Sequence, residues 1–333
     1  MGYIVKTHPD NYIIYVEEGE TILEAALKQS YDFPFNCQSG ICSTCKGRVL
    51  SGDIDYLGVE PEGLEPHEPE LGYALFCSAS PKSNLVIEVP EINGPENKPI
   101  KQLNFTLEKI TALSDTVYQV LLNPPENQTL NYLAGQYIML GNSTGEMRPY
   151  SIANNPSGGQ HLELHIRHSD DNYFIQQLLE DFKNNKAIPV KGAYGRCIFH
   201  YIPTHPIIFM AGGTGFSQSK ALIEHIINLD PETPMHLFWV AKTPADLYLS
   251  SLATTWVKQL ANFKFTPIIS NLNEGWVGCT QRIEKAVIDI YPDLSNHVVY
   301  ASGPQDMVFT ALRDFEKCGL EKTLMFSDAF HLV

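Results

Sequence analysis

Four cysteines are spaced so that their thiolates could share one metal centre. Three of them lie in FNCQSGICSTC, residues 35–45, and the fourth follows after 31 intervening residues in LFCSAS. This spacing, C-x4-C-x2-C and then a distant cysteine, is the plant-type spacing of 2Fe–2S proteins. Two irons bridged by sulfide need four thiolates, so the sequence predicts the metal ligands Cys37, Cys42, Cys45 and Cys77.

Two alternative explanations of these cysteines are a structural zinc site and a disulfide pair. Zinc ribbons need two C-x2-C pairs or paired histidines, which this loop lacks. Disulfides need an oxidising compartment, and the N-terminal MGYIVKTHPD shows no secretory signal. The cluster is therefore favoured. Gly40 is predicted to turn the loop sharply, and its small neighbours leave room for backbone N–H groups to reach the sulfurs. Three further cysteines are isolated and are predicted to have no role: Cys197, Cys279 and Cys318.

A second candidate site is RPYS, residues 148–151, on a predicted strand. A flavin needs a cation for its phosphate, an aromatic face against its ring and a hydroxyl near N5. Arg148, Tyr150 and Ser151 supply these groups in that order. An exposed arginine beside a core tyrosine is the alternative explanation.

A third candidate site is AGGTGFS, residues 211–217, which follows an apolar strand and opens a helix. Glycines at such a turn let the backbone approach a pyrophosphate at the helix N-terminus. The stretch is not GxGxxG, and an ordinary tight turn is the alternative.

The elements that must position these sites fall into three parts. The first combines an N-terminal hairpin, the helix ILEAALKQ and the strands KGRVLSG and LVIEV, which is typical of a small α+β domain. The second is rich in strands separated by short turns, as in an antiparallel barrel: FTLEKITAL, TVYQVLLN, QYIMLGN, RPYSIAN and LELHIRH, with one helix, NYFIQQLLEDFKN. In the third, strands alternate with helices, which predicts a parallel α/β sheet. The predicted boundaries are 1–92, a linker at 93–101, 102–202 and 203–333.

Composition limits the partners. The net charge of −15 disfavours nucleic acid and anionic membrane surfaces. Up to Glu91 there are 15 acidic and 5 basic residues, which either keep a small domain soluble or form a docking face for a basic protein. No apolar run approaches the ~18 residues of a membrane helix. We expect a cytoplasmic monomer without a membrane span.

The motifs together resemble known families. Residues 3–90 resemble a plant-type ferredoxin domain, which has a β-grasp fold. RPYS, GGTG, WVAKTPADLY and VVYASGP, in this order, resemble the ferredoxin–NADP reductase superfamily from about residue 103 onwards. The whole chain is similar to single-polypeptide reductases that serve ring-hydroxylating dioxygenases, phenol-type monooxygenases and CDP-glucoseen deoxygenation. The resemblance implies an NAD(P)H oxidoreductase that passes electrons through a flavin and a 2Fe–2S cluster to a partner oxygenase or deoxygenase.

The resemblance also implies roles for individual residues. Ser151 and Ser302 would lie at the reacting flavin and nicotinamide rings. Flavin contacts would come from Arg148, Tyr150, Ser151, His165, Arg167 and the C-terminal Phe330. Nicotinamide nucleotide contacts would come from Gly212, Gly213, Thr214, Gly215, Asp246, Gly303 and Pro304.

The chain departs from the family pattern at three places. Asp171 and Asn172 stand where the family usually has glycines, so FMN or an exchangeable flavin is an alternative to FAD. A flavin reductase that releases reduced flavin is accordingly the second functional hypothesis, and a metal-binding module without activity the third. Ser302 replaces a frequent cysteine, which predicts a slower hydride step. At the third place, GGTGFSQSK lacks the family's frequent proline and, like the segment with Asp171 and Asn172, resembles the free-flavin reductases of the same superfamily. Lys242 has no Arg-rich neighbourhood in the sequence, which favours NADH over NADPH.

Overall fold

The computed structural model describes residues 2–8, 12–29, 31, 33–58, 60–89, 100–159, 161–169, 172–195, 197–199, 205–271 and 276–328. The chain divides into two compact units, with the division between residues 99 and 100. Each unit has its own apolar core, and each is described by itself.

The first unit is a five-stranded mixed sheet with one helix packed on it. The strand order is β2-β1-β7-β3-β5, and β1 pairs in parallel with β7 and antiparallel with β2. This confirms the predicted β-grasp fold and its N-terminal hairpin. The elements are β1 Tyr3–His8, β2 Ile13–Val16, α1 Ile22–Lys28, β3 Lys46–Ser51, β4 Ile54–Asp55, β5 Tyr73–Leu75, β6 Ser80–Pro81 and β7 Leu85–Glu88.

Helix α1 begins at a reciprocal cap and is held by its apolar face. The Thr21 side chain accepts the Glu24 N–H at 3.2 Å, and Glu24 accepts the Thr21 N–H at 3.0 Å. Such a capping box satisfies two N–H groups that a helix start leaves free. Behind it, Ile22 and Ala26 are fully buried in the core that also contains Phe33. The helix therefore sets the position at which the cysteine loop leaves the core.

The second unit begins with an antiparallel barrel. Its six strands follow the order β11-β10-β13-β8-β9-β12, and a bridge between Ile152 and Leu164 joins the two outer strands. The elements are β8 Lys101–Ala112, β9 Val117–Asn123, β10 Tyr137–Gly141, β11 Met147–Ser151, β12 Leu162–Arg167, α2 Tyr173–Lys183 and β13 Ile188–Tyr194. Strand β13 was not predicted, because Pro189 and Gly192 weaken its strand pattern. In the barrel, β13 pairs with both β10 and β8.

The rest of the second unit is a parallel five-stranded sheet in the order β16-β15-β14-β17-β18. The alternation of strands and helices predicted from the sequence is confirmed, and short β18 is an addition to it. The elements are β14 Ile207–Gly212, α3 Phe216–Leu229, β15 Met235–Ala241, α4 Ser250–Gln259, β16 Phe263–Ile269, α5 Ile283–Ile290, β17 Val298–Ser302, α6 Gln305–Glu316 and β18 Met325–Phe326. Central β14 is buried along nearly its whole length, as strands covered on both faces are.

The helices are short for membrane-spanning segments. The 14 residues of α3 make it the longest among the described parts of the chain. A membrane crossing takes about 20 predominantly apolar residues. Within the described residues, no helix combines the length and the apolar character that such a crossing needs.

Candidate functional site

The four predicted metal ligands lie in the first unit, and all are buried. Three come from the loop between α1 and β3, and Cys77 follows β5. Cys37, Cys42 and Cys45 are 1%, 1% and 2% exposed, and Cys77 is 8% exposed. The backbone N–H groups of Ser39, Ile41 and Cys42 donate to the Cys37 sulfur at 3.4, 3.4 and 3.3 Å. Donors aimed at a sulfur favour its thiolate, which is the form that binds metals.

The sulfurs lie close enough together to perturb one another. Hydrogen bonds from Cys42 and Cys77 lower the pKa of the Cys37 thiol below its usual range. Hydrogen bonds with Cys37 and then Cys45 raise the pKa of Cys77. Among the described residues, no group of three or more His, Cys, Asp or Glu side chains is arranged so that it could hold a single metal ion. A 2Fe–2S cluster does not need such an arrangement, because each iron takes two thiolates. The buried set of four thiols therefore fits the cluster.

Gly40 turns the cysteine loop as the sequence predicts. Its φ is +73°, and a Cβ there would lie 2.8 Å from the Ser78 hydroxyl and 2.9 Å from Pro61 Cβ. Any side chain at this position would be strained and would also clash with the segment that carries Cys77. Gly40 thus allows the loop and the Cys77 segment to approach each other.

The residues of RPYS lie on β11 beside the start of helix α2. The Arg148 guanidinium lies 4.9 Å from the centre of the Phe174 ring. Its Nη1 donates to Asn172 Oδ1 at 3.0 Å. The Tyr150 ring stacks at 6.3 Å on the same Phe174, and burial raises the pKa of Tyr150 to about 12. The guanidinium also pairs with Glu146 Oε1, 2.7 Å from Nε and from Nη2, and its side chain is 41% exposed. A half-exposed cation at a helix N-terminus fits the phosphate of a flavin nucleotide, which would compete with Glu146 for it.

Asn172 has a structural role in this arrangement. Its side chain caps α2 by accepting the Ile175 N–H, and it also holds Arg148. Asp171, the other unusual residue of this segment, lies outside the described residues. Ser151 ends β11, half-buried, and pairs with Tyr137 of β10.

The glycine-rich turn lies at the carboxyl end of β14 and opens onto a cavity of about 770 Å³. A Cβ on Gly215 would overlap the Ser302 carbonyl oxygen, so glycine lets the turn pack directly against β17. Cavities at the carboxyl ends of parallel strands are where such sheets bind nucleotides. Of the predicted site residues, those that line the cavity are Arg167, Gly212, Gly213, Thr214, Gly215, Gly303 and Pro304.

Asp246 and Ser302 are engaged elsewhere. The Asp246 carboxylate accepts the Thr243 N–H and hydroxyl at 3.1 and 2.8 Å, and Arg167 approaches it at 3.5 Å. The Ser302 hydroxyl donates to the Gly215 carbonyl at 2.8 Å and lies 3.3 Å from the Ser219 hydroxyl. In this conformation Ser302 supports the glycine turn, and its predicted contact with nicotinamide stays a prediction. Phe330 lies outside the described residues.

His165 and Arg167 extend from β12 toward the part of the second unit that contains the parallel sheet and the cavity, which we call the nucleotide-binding half. His165 Nε2 lies 2.9 Å from Glu163 Oε1, and its Nδ1 lies 3.0 Å from the Tyr248 hydroxyl. Burial lowers the pKa of His165. Burial acts to raise the pKa of Glu163, but His165 and Lys220 outweigh it and bring the pKa to about 2. The predicted flavin contact of His165 stays a prediction.

Sequence reasoning missed the partners of these residues, namely Glu163, Lys220 and Tyr248. A signal for them is present in LELHIR, where three polar residues alternate with apolar ones. The burial of all but the last residue of β12 shows that this polar face needs polar partners. Their identity depends on which segments of the nucleotide-binding half pack on β12.

Comparisons with known proteins agree with this geometry. Residues 5–82 match the family of 2Fe–2S iron–sulfur cluster binding domains. Residues 104–200 match oxidoreductase FAD-binding domains, and residues 209–312 match oxidoreductase NAD-binding domains. The chain is 32% identical to the CDP-6-deoxy-L-threo-D-glycero-4-hexulose-3-dehydrase reductase of Yersinia pestis, over 99% of both chains. It is 31% identical to the phenol hydroxylase P5 protein of Acinetobacter pittii, over 94% of this chain and 90% of that one.

Solved structures share the fold over the whole length. The cytochrome P450 reductase GcoB of Amycolatopsis superimposes with a TM-score of 0.71 at 23% identity and covers 98% of both chains. A ferredoxin reductase of carbazole 1,9a-dioxygenase gives 0.64 at 22% identity and covers 99% of this chain and 98% of that one. The chain therefore belongs to the family of iron–sulfur flavoprotein reductases, in which a 2Fe–2S ferredoxin domain, an FAD-binding domain and an NAD-binding oxidoreductase domain share one polypeptide.

Proposed function

We propose that this reductase takes electrons from NADH and delivers them singly to a separate oxygenase or deoxygenase component, as a monomer. The observation that carries the proposal is that one chain combines a nucleotide cavity with a cage of four buried thiols. The relatives named as phenol hydroxylase P5 protein and as dehydrase reductase support this class of acceptor.

Different residues of the chain would bind the flavin, the nicotinamide nucleotide and the cluster. FAD, when bound, supplies the conversion between a two-electron hydride donor and a one-electron acceptor. Arg148 and the N-terminus of α2 would hold its phosphate, and Tyr150 would pack beside its ring. The glycine turn at the end of β14 would admit the pyrophosphate of the nicotinamide nucleotide. The four thiolates would hold the cluster, and the N–H donors around Cys37 would stabilise negative charge on its sulfur.

The charges around the cavity support NADH as the donor. Three cations among the described residues line it: Arg167, Lys242 and Arg282. Arg167 lies 3.5 Å from Asp246, and Arg282 Nε lies 2.6 Å from a carboxylate oxygen of Glu284, which lines the cavity as well. Asp306 adds a second carboxylate to the lining. These carboxylates would repel the 2′-phosphate of NADPH, whereas they would not repel the neutral 2′-hydroxyl of NADH.

The proposal is tested on purified protein. We expect visible absorbance, iron and acid-labile sulfide at two each per chain, and FAD that stays bound through gel filtration. We also expect NADH to support turnover of a phenol hydroxylase or dehydrase component when the reductase is added. NADH oxidation that requires added free flavin would instead establish the flavin reductase. A colourless protein with zinc would exclude both.

A further inference from the structure

One face of β12 carries three polar side chains, and each meets a partner from the nucleotide-binding half. Glu163, His165 and Arg167 alternate along the strand, so they point the same way. Lys220 Nζ of α3 lies 3.1 Å from Glu163. The Tyr248 hydroxyl lies 3.0 Å from His165 Nδ1, and Asp246 lies 3.5 Å from Arg167. We call these three residues of β12 the coupling strip.

The two inner contacts of the coupling strip, Glu163–Lys220 and His165–Tyr248, are largely buried, and the donor and acceptor of each can be assigned. Glu163, His165 and Lys220 are 6%, 4% and 7% exposed. Ionised Glu163 can only accept, so His165 Nε2 carries a proton and donates to it at 2.9 Å. In neutral His165, Nδ1 then accepts a hydrogen bond from the Tyr248 hydroxyl at 3.0 Å. A buried ion pair whose members are all hydrogen-bonded admits few other arrangements, because displacing one partner leaves a charge unpaired.

The outer contact of the coupling strip is weaker. Arg167 is 39% exposed and its distance to Asp246 is 3.5 Å. Solvent and salt screen such a pair, and its contribution is small. Of the three contacts of the coupling strip, the two inner ones therefore contribute most to holding the two halves together.

Both ends of the buried network reach a candidate cofactor site. Lys220 Nζ donates to the Ala153 carbonyl at 3.0 Å, two residues after Ser151 of the flavin motif. At the other end, the Tyr248 ring lies 5.1 Å from the Trp239 ring and edge-on to it. Trp239 Nε1 in turn donates to the carbonyl of Gly213 in the glycine turn at 2.9 Å.

We propose that the Tyr248–His165 and Lys220–Glu163 contacts are positioning contacts. They fix residues 243–249 and helix α3 against the antiparallel barrel that carries RPYS, and so set the approach of nicotinamide to flavin. This inference rests on the proposed NADH and FAD sites. The four residues act through the backbone of the two motifs. Hydride transfer depends steeply on distance and orientation, so loosening these contacts should slow the reaction more than it weakens nucleotide binding.

The test compares two tyrosines that make the same kind of bond. Tyr248→Phe removes the hydroxyl that donates to His165 but keeps the ring against Trp239. Tyr291→Phe is the matched control, because the Tyr291 hydroxyl lies 2.9 Å from Nδ1 of another buried histidine, His236. His236 lies at the start of β15, the opposite end of the strand from the nucleotide cavity. Both variants are made in the full-length protein.

Two measurements are made on each variant. Without nucleotide, we expect amide hydrogen exchange in residues 243–249 to be about fivefold faster in Tyr248→Phe than in the wild type. In single turnover with NADH, we expect flavin reduction to slow by about tenfold, while the half-saturating NADH concentration stays within about twofold. Tyr291→Phe should change neither measurement.

Equal hydrogen exchange and equal flavin reduction rates in Tyr248→Phe and Tyr291→Phe would overturn the proposal. If Tyr248→Phe does not fold, His165→Gln takes its place, since an amide can donate to Glu163 and accept from Tyr248. It should preserve the slow exchange, whereas His165→Leu should lose it. Equal exchange in these two variants counts against the positioning role. The exchange measurement needs no turnover, so a wild-type protein that fails to oxidise NADH would contradict the proposed function and leave the exchange result interpretable.

Discussion

At the scale of the residue, 31 residues separate Cys77 from Cys45, yet the Cys77 thiol lies close enough to Cys37 and Cys45 for them to raise its pKa. The link depends on Gly40, which lets the cysteine loop pack against the segment that holds Cys77. A change at Cys77 therefore removes one ligand without altering the loop that provides the other three.

We expect Cys77→Ser to lose the cluster and keep the flavin reaction. Its visible iron–sulfur absorbance and acid-labile sulfide should disappear, because a serine hydroxyl is a poor replacement for a thiolate ligand. NADH–ferricyanide activity should stay within about twofold of the wild type, since the cavity lies in the other unit. Cytochrome c reduction at the full rate in this variant would contradict electron exit through the cluster. Cys318→Ser, at a half-buried isolated cysteine, is the control.

The preference between NADH and NADPH is also expected to depend on single residues. With Arg282 held by Glu284, we expect kcat/KM for NADH to exceed that for NADPH by about tenfold or more, a difference of ~1.4 kcal/mol in transition-state stabilisation. Glu284→Gln should narrow the ratio, because it frees the Arg282 guanidinium for a 2′-phosphate. A wild-type preference for NADPH would show that Lys242 and Arg282 act together despite Glu284.

At the scale of the element, β12 combines a barrel strand with a charged face. The folded-state pKa of Glu163 is about 2, below its ordinary 4.5. The unfolded chain therefore takes up the proton first as the pH falls. The stability that ionised Glu163 contributes is complete above pH 4.5 and is lost between pH 4.5 and 2.

We expect Glu163→Gln to be less stable than the wild type at pH 7 but to lose less stability on acidification. The neutral amide leaves Lys220 with one carboxylate fewer, and it has no proton to take up. Melting temperatures recorded from pH 7 down to pH 3 should converge. Parallel curves for the two proteins would mean that Glu163 has an ordinary pKa.

Most elements could be predicted from the sequence. Apolar runs such as IIFMAGG and the helices between them identify the parallel sheet, and the cysteine spacing identifies the cluster ligands. Strand β13 was missed because its pattern contains Pro189 and Gly192, and its pairing with two neighbours compensates for both. The direction of the His165 side chain could not be predicted, since strand alternation gives two faces but does not tell which segment covers each. The same holds for the Ser302 hydroxyl, whose bond to Gly215 depends on the approach of two distant turns.

At the scale of the whole molecule, negative charge is concentrated in residues 1–91, which contain 15 acidic and 5 basic residues. The cluster ligands lie in this same part of the chain. Long-range attraction of a basic acceptor to this part of the chain would raise the rate of encounter and weaken as salt screens it.

We expect cytochrome c reduction to fall by about tenfold between low salt and 0.3 M NaCl, because cytochrome c is a basic acceptor. Ferricyanide is a small anion and serves as the control; its reduction should not fall over the same range. Equal salt responses of the two acceptors would indicate that the acidic residues serve solubility alone.

The close packing of the glycine turn limits how this reductase could be redesigned. A side chain at Gly215 would overlap the Ser302 carbonyl, and one at Gly303 would lie 3.0 Å from the Gly212 Cα. That wall of the cavity is formed by backbone, which substitution cannot reshape without moving two strands. The wall with Lys242, Arg282 and Glu284 is formed by side chains. Coenzyme preference can therefore be changed, by engineering or by evolution, at the side-chain wall of the cavity but not at the backbone wall.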